Sequence, residues 1–416
     1  MNLSTIDEDV LLLIISLLRS YDALSLSETS RHFHAVALPR ALSSVTLINH
    51  QQLTAFCTYM LSGSSARMRF LKSLSVTLGD GNFTNAHLLA DLLEHAQSLT
   101  SITVRNAVSF MQSEPRIGDA LAALEGINDI ELTAVESTVH EMLSKFRSKP
   151  RKVSLTGRDF PLRLSHLPLQ NAEYLEVSCA IIEDDMPSGG CYAGPQWLAC
   201  RYIALNLVQI PSIVFMHAFP NLEHLHCFAT NVSSPATRTV HSSQNFRHIV
   251  RPIHCVTLRL LCTNHMPPEA EIERALCVLR YVRPAVLYLV IHLVPPALLW
   301  QRIVELSPQL QYLTLKLYLR MDISDWLATI LPLLAPLDVL CIRVSLMEQQ
   351  EQHQDELRVA LAQYMSSLRY LAINCLSLDD PLGKVYAWWR IEGSGAEQRV
   401  VEMPREVGDA LWRAAA

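Results

Sequence analysis

One spacing constrains this chain more than any other feature: apolar-x-x-apolar-x-apolar recurs about every 27 residues from Leu71 almost to the C-terminus. The anchors are LKSLSV at Leu71, LTSITV at Leu99, INDIEL at Ile127, PRKVSL at Pro150, AEYLEV at Ala172, CRYIAL at Cys200 and LEHLHC at Leu222. IHCVTL at Ile253, VLYLVI at Val286, LQYLTL at Leu310, LDVLCI at Leu337 and LRYLAI at Leu368 continue the series. Gaps of roughly 22 to 33 residues are too short for independent domains. Each unit must then bury its apolar face against the next, which predicts a solenoid.

Alternation inside each unit predicts a short strand. Successive strand residues face opposite sides, so Leu225 and Cys227 point one way and His224, His226 and Phe228 the other. The connecting stretches read as helices: FTNAHLLADLLEHAQS spaces Leu88, Leu89, Leu92 and Leu93 on one face after a cap at Thr84 or Asn85. Ala297 to Leu306 and Asp355 to Tyr364 follow the same logic. The period is that of leucine-rich repeats, and the expected fold is an α/β horseshoe with parallel strands along its concave side. Leu74, Ile102, Leu175, Leu225, Leu313 and Leu371 are expected in the core. Trp388, Trp389 and Trp412 are expected to cover its last open end.

Concave-side residues are the expected binding surface. The third residue of each unit gives Ser73, Ser101, Asp129, Lys152, Tyr174, Tyr202, His224, Cys255, Tyr288, Tyr312, Val339 and Tyr370, a column holding five of the chain's twelve tyrosines. Tyrosine forms strands well, and it also offers rigid amphipathic contact area with a hydroxyl at its tip. His226 and a neighbouring column of Arg105, Thr133, Phe228, Arg259, His292, Lys316 and Arg343 complete the surface. Its basic members suit an acidic or phosphorylated segment.

Composition and motifs narrow the function. A formal charge of −6 without a Lys/Arg cluster gives no reason to expect nucleic acid. Ten cysteines without a C-x-x-C pair read as reduced intracellular thiols. The run VLLLIISLL follows Asp7, Glu8 and Asp9 and is too short to cross a bilayer, so a membrane location is not expected, and cytoplasm or nucleus remains. His224, His226 and Cys227 do not converge in a strand, and no metal or other cofactor is expected. The common hydrolase and nucleotide-binding motifs are missing, so no enzyme is expected. Glu183, Asp184 and Asp185 lead into the turn-rich MPSGGCYAGP, read as a solvated loop.

Residues 1–40 do not fit the repeat. Thr5 and Glu8 form a capping box, so a helix is expected to start near Ile6, a second after Asp22, and a third to carry Arg31, Phe33 and Val36 before Pro39. This stretch resembles an F-box. Ile6 matches its opening Leu, Asp9 its acidic residue, Val10 and Leu11 the next pair, and Ile14, Ile15 and Leu18 the helix core. Asp22, Leu24 and Leu26 continue the match, and Arg31 with Phe33 close it. The departure is Asp7, where the family prefers Pro.

The order F-box then leucine-rich repeats resembles large fungal F-box families, as does a tail with Tyr386, Trp388, Trp389 and Ile391. The resemblance implies a substrate receptor of an SCF-type ubiquitin ligase. Ile6, Val10, Leu11, Ile14, Ile15, Leu17, Leu18, Leu24, Leu26 and Phe33 would meet a Skp-type adaptor linked to a cullin. Tyr174, Tyr202, His224, His226, Phe228, Arg259, Tyr288, His292, Tyr312, Lys316, Arg343 and Tyr370 would meet a protein substrate. The expected organisation is a helical module at 1–40, a linker or cap helix at 41–70, repeats at 71–380 and a C-terminal cap at 381–416. A repeat scaffold with no ligase role is the alternative.

Overall fold

The computed structural model describes residues 7–62, 66–79, 83–183, 194–228, 230–233, 253–260, 268–292, 296–318, 323–347, 352–376, 387–393 and 398–415. The fold is mixed α/β with mostly parallel strand pairing, and the chain divides into two compact units: 1–185 with 194–200, and 186–193 with 201–416. Among the described residues no helix is long and apolar enough to cross a membrane.

The first unit opens with helices α1 (Glu8–Leu17), α2 (Ser20–Ser27) and α3 (Arg31–Ser43). Asp7 caps α1, its carboxylate accepting from the Asp9 N–H at 3.0 Å. Helix α3 passes through Pro39, where the sequence suggested a stop, and leads directly into β1 (Ser44–Leu47). The sheet therefore begins inside the stretch expected as linker, and the helices are continuous with it rather than a separate all-α module. After α4 (His50–Ser62) come β2 (Ser73–Val76), α5 (Ala86–His95), β3 (Ser101–Val104), α6 (Ala107–Ser113) and α7 (Arg116–Ala123). Next are β4 (Asp129–Val135), α8 (Ser137–Ser144), β5 (Lys152–Leu162) and β6 (Tyr174–Ile182). All six strands pair in parallel in chain order.

The second unit holds β7 (Tyr202–Asn206), β8 (Gln209–Pro211), α9 (Ser212–Ala218), β9 (His224–Phe228), β10 (Asn231–Ser233), β11 (Cys255–Leu260) and α10 (Pro268–Tyr281). It continues with β12 (Val286–Ile291), α11 (Ala297–Leu306), β13 (Tyr312–Leu317), α12 (Ile323–Leu334), β14 (Cys341–Met347), α13 (Gln354–Tyr364) and β15 (Tyr370–Leu376). Strands β7, β9 and β11 to β15 form a parallel ladder. The direction then reverses. An antiparallel hairpin of β16 (Ala387–Glu392) and β17 (Arg399–Met403) pairs with β15, and α14 (Arg405–Ala415) follows.

Leu74, Ile102, Leu175, Leu225, Leu313 and Leu371 are all buried, as the alternation required. Helix side chains such as Leu89, Leu92, Trp300 and Leu331 share the core on that side. The alternate strand residues form the opposite, open face.

A backbone signature recurs as well. Asn106, Ala134, Cys179 and Leu207 adopt left-handed φ values of 54–59°. Each stands two residues beyond the second core-facing residue of its strand, respectively Val104, Leu132, Val177 and Leu205. That conformation costs an L-residue about 1–2 kcal/mol; Ala134 and Cys179 adopt it inside β4 and β6, and Asn106 and Leu207 just past the ends of β3 and β7. Asn106 suits it best: its side-chain amide donates to the Leu78 carbonyl of the preceding turn at 3.2 Å.

Candidate functional site

The N-terminal helices sort their apolar side chains cleanly. Leu11 and Ile15, one helical turn apart, pack with Phe33 and Ala37 of α3, and Leu18, Leu26 and Val36 lie half-buried against them. The Arg40 guanidinium donates to the Leu18 carbonyl at 2.8 Å and ties α3 to the end of α1. Val10, Ile14 and Leu17, at i, i+4 and i+7, point outward with Leu12 and Leu13; Leu17 is 78% exposed and Leu13 62%. Leu24 and Tyr21 on α2 are exposed too. Leu11, Ile15 and Phe33 therefore hold the helices together and are not available to a partner, whereas Val10, Ile14, Leu17 and Leu24 are. Leu12, Leu13 and Tyr21 join them, and the signal for the two leucines was an apolar run covering more than one helical face. Ile6 and Thr5 lie outside the described residues.

The open face of the first unit is polar. A groove lined by Ser101, Thr103, Asp129, Glu131, Lys152, Ser154, Thr156 and Glu176 runs across β3 to β6. Tyr174 sits at its edge, with the Lys152 ammonium 5.2 Å from its ring centre and its hydroxyl donating to Glu176 at 3.4 Å. Arg105 follows β3, exposed, and Thr133 on β4 is half-buried, its hydroxyl accepting from the Asn106 N–H at 3.2 Å.

Strand register defines three columns on the open face of the second unit. The first is Tyr202, His224, Cys255, Val286, Tyr312, Cys341 and Tyr370. Tyr202, Tyr312 and Tyr370 share it as expected. Tyr288 does not: it belongs to the second column with His226, Thr257, Thr314 and Arg343, and Val339 is a core residue whose expected place Cys341 takes. The third column holds Phe228, Arg259, Val290 and Lys316. None of the positions in the three columns, filled out by Ala204, Asn206, Ser345, Ala372 and Asn374, is Asp or Glu.

Aromatic and imidazole rings cluster on β7 and β9. Tyr202 stacks on His224 with centroids 6.2 Å apart, and His254 meets His224 edge-on at 6.2 Å. Burial, then the neighbouring His254, holds the His224 imidazole below its usual pKa against the opposing pull of Glu223. The Arg259 guanidinium lies 6.0 Å from the Phe228 ring. His292 stacks flat on Tyr318 at 4.4 Å, and burial followed by the charge of Arg259 lowers its pKa as well.

Helix α14 and β16 occupy another part of this face. Trp412 of α14 is 5% exposed and packs with Trp388, Cys255, Val286, Cys341 and Ala372, against which Tyr288, Tyr312 and Tyr370 are laid. Of the expected end-covering tryptophans, only Trp389, level with Leu371, lies on the core side. Trp388 and Trp412 cover the open face instead. Tyr288, Tyr312, Arg343 and Tyr370 are thus partly spoken for, and Tyr202, His224, His226, Phe228, Arg259, His292 and Lys316 lie outside that cover.

Thiol chemistry finds no support in the buried cysteines. Burial pushes Cys57, Cys227 and Cys341 up to about 12 and Cys255 to about 11. Cys227 lies on the core side of β9, opposite His224 and His226. Among the described residues no three His, Cys, Asp or Glu side chains gather as a metal site. The run from Asp184 and the loop after it, like Tyr386, lie outside the described residues. Compared with known proteins, the chain matches no family model and no curated protein.

Proposed function

We propose that this protein is the substrate-recognition subunit of an SCF-type E3 ubiquitin ligase. The three N-terminal helices act as an F-box that docks a Skp-type adaptor. The parallel strands, with their alternating core-facing side chains, form a leucine-rich-repeat solenoid, and its open face holds a protein substrate. In this reading the chain positions a substrate and other subunits do the chemistry.

The observation that carries the proposal is the outward stripe of Val10, Leu13, Ile14 and Leu17, joined by Leu24, on helices whose core is already complete without them. Large apolar side chains left in water together favour an interaction surface over a solitary fold. Asp7, which stands where the family prefers Pro, starts α1 by capping it. Arg259 and Lys316, on a face whose paired columns carry no carboxylate, support an acidic or phosphorylated substrate segment, with His224 and His226 beside them as further hydrogen-bonding groups.

Co-purification with recombinant Skp-type adaptor and cullin tests the reading. The wild-type chain is expected to retain both. Val10→Asp combined with Leu17→Asp is expected to lose them with an unchanged melting curve, because neither side chain belongs to the core. A wild-type chain that captures no adaptor would leave a repeat scaffold without a ligase role.

A further inference from the structure

The contact between α14 and the strands is concentrated on one side chain. The Trp412 indole meets Tyr288 edge-to-face at 5.5 Å and Tyr312 at 5.9 Å, with interplanar angles of 83° and 79°. Its N–H donates to the Tyr288 hydroxyl at 2.8 Å. The Arg343 guanidinium lies 4.6 Å from the ring centre, within cation–π range. Two tyrosine rings, one acceptor and one cation thus address every recognisable feature of an indole.

The rest of α14 is held sparingly. Gly408 lies directly on the Trp388 ring, where a Cβ would meet the indole within 2.2 Å, and Asp409 accepts from the Trp388 N–H at 3.0 Å. Arg405, Glu406, Val407, Ala410, Leu411 and Arg413 are exposed. An 11-residue helix is marginal on its own, so docking through Trp412 and the Gly408–Asp409 contact with Trp388 alone is a locally reversible event.

We propose that Tyr288, Tyr312 and Arg343 form a displaceable docking site for an amphipathic helix bearing a tryptophan. Helix α14 fills it in the free protein, and a partner's helix of the same kind fills it in the complex. The inference rests on the reading of this face as a protein-binding surface. It adds the partner's chemistry and a regulatory consequence: capture at this site requires α14 to leave.

A fluorescently labelled peptide of residues 405–415 and the full chain test it. The peptide is expected to bind full-length Trp412→Ala at least about tenfold more tightly than wild type, since the variant empties the site without removing its walls. Replacing the peptide's tryptophan by Phe, or adding Tyr288→Phe to the receiving chain, is expected to weaken binding about tenfold by removing the indole–hydroxyl bond. Equal binding to wild type and to a folded Trp412→Ala, or binding indifferent to Tyr288→Phe, would overturn the proposal. Should Trp412→Ala fail to fold, amide exchange on the wild type decides: α14 is expected to exchange far faster than β12 to β14, and equal protection would make it a permanent part of the core. Adaptor capture by α1 and α2 is read separately, so its failure alongside intact peptide binding would remove the ligase role and leave this site standing.

Discussion

At the scale of single residues, the left-handed turn sets a preference that the chain meets only in part. Asn tolerates this conformation better than Leu, and Leu207 is exposed there with little packing to lose. Leu207→Asn is therefore expected to stabilise the protein by about 0.5–1 kcal/mol, read as a rise in Tm; an equal or lower Tm would mean that the turn is not under strain. Imidazoles make a second prediction. Burial lowers the pKa of His224 and His292 in the fold, so as pH falls through the ordinary imidazole range the unfolded chain takes up protons first. The stability they contribute is present above that range and is lost below it. A Tm that declines between about pH 7.5 and 5.5 is expected, and His224→Gln with His292→Gln should flatten the decline. Buried thiols give a third outcome: at about pH 8, iodoacetamide should leave Cys57, Cys227 and Cys341 unmodified in the native protein and label them after denaturation, as mass spectrometry would show.

Elements were legible in the sequence wherever alternation and length agreed. Helix α11 spans Ala297–Leu306 and α13 spans Gln354–Tyr364, within a residue of the apolar pattern. Which strand residues face the core was legible because a one-residue slip would put every leucine in water. A two-residue slip changes no face, so the column of a residue was not: VLYLVI reads as a frame beginning at Val286, although Val286 itself is level with Tyr312. LDVLCI misled in the same way, and there the core residue Val339 stood in for Cys341. The seat of α14 was hidden for a different reason. Gly408 and Trp412 mark the inner side of the helix, but nothing in that pattern says which face of the sheet receives it. Between helices, Trp300 of α11 and Trp326 of α12 meet edge-to-face with centroids 6.1 Å apart, both fully buried. Trp300→Ala is expected to cost about 3–5 kcal/mol. A double-mutant cycle with Trp326→Ala should return a coupling of about 0.5–1.5 kcal/mol, and zero coupling would reduce the contact to independent burial.

For the molecule as a whole, neighbour-only pairing makes stability local. Leu313→Ala, at a fully buried position of β13, is expected to cost about 2–5 kcal/mol. Faster amide exchange should be confined to β12 to β14 and their helices, leaving β2 to β4 of the first unit as in wild type; a uniform loss of protection would mean that the chain unfolds as one cooperative block. The charge pattern is local too, carboxylates lining the open groove of the first unit and cations the open face of the second. A parallel ladder also has a growth problem, because its last strand offers a free row of N–H and C=O groups to any other chain. Here the direction reverses after β15, and the outermost strand, β17, is five residues long and carries Arg399 and Glu402. A short, charged strand running against the grain is a poor template for addition. The hairpin thus shields the ladder from strand addition, and a chain ending before Ala387 is expected to present the bare rim of β15 and to self-associate, as size-exclusion chromatography would show.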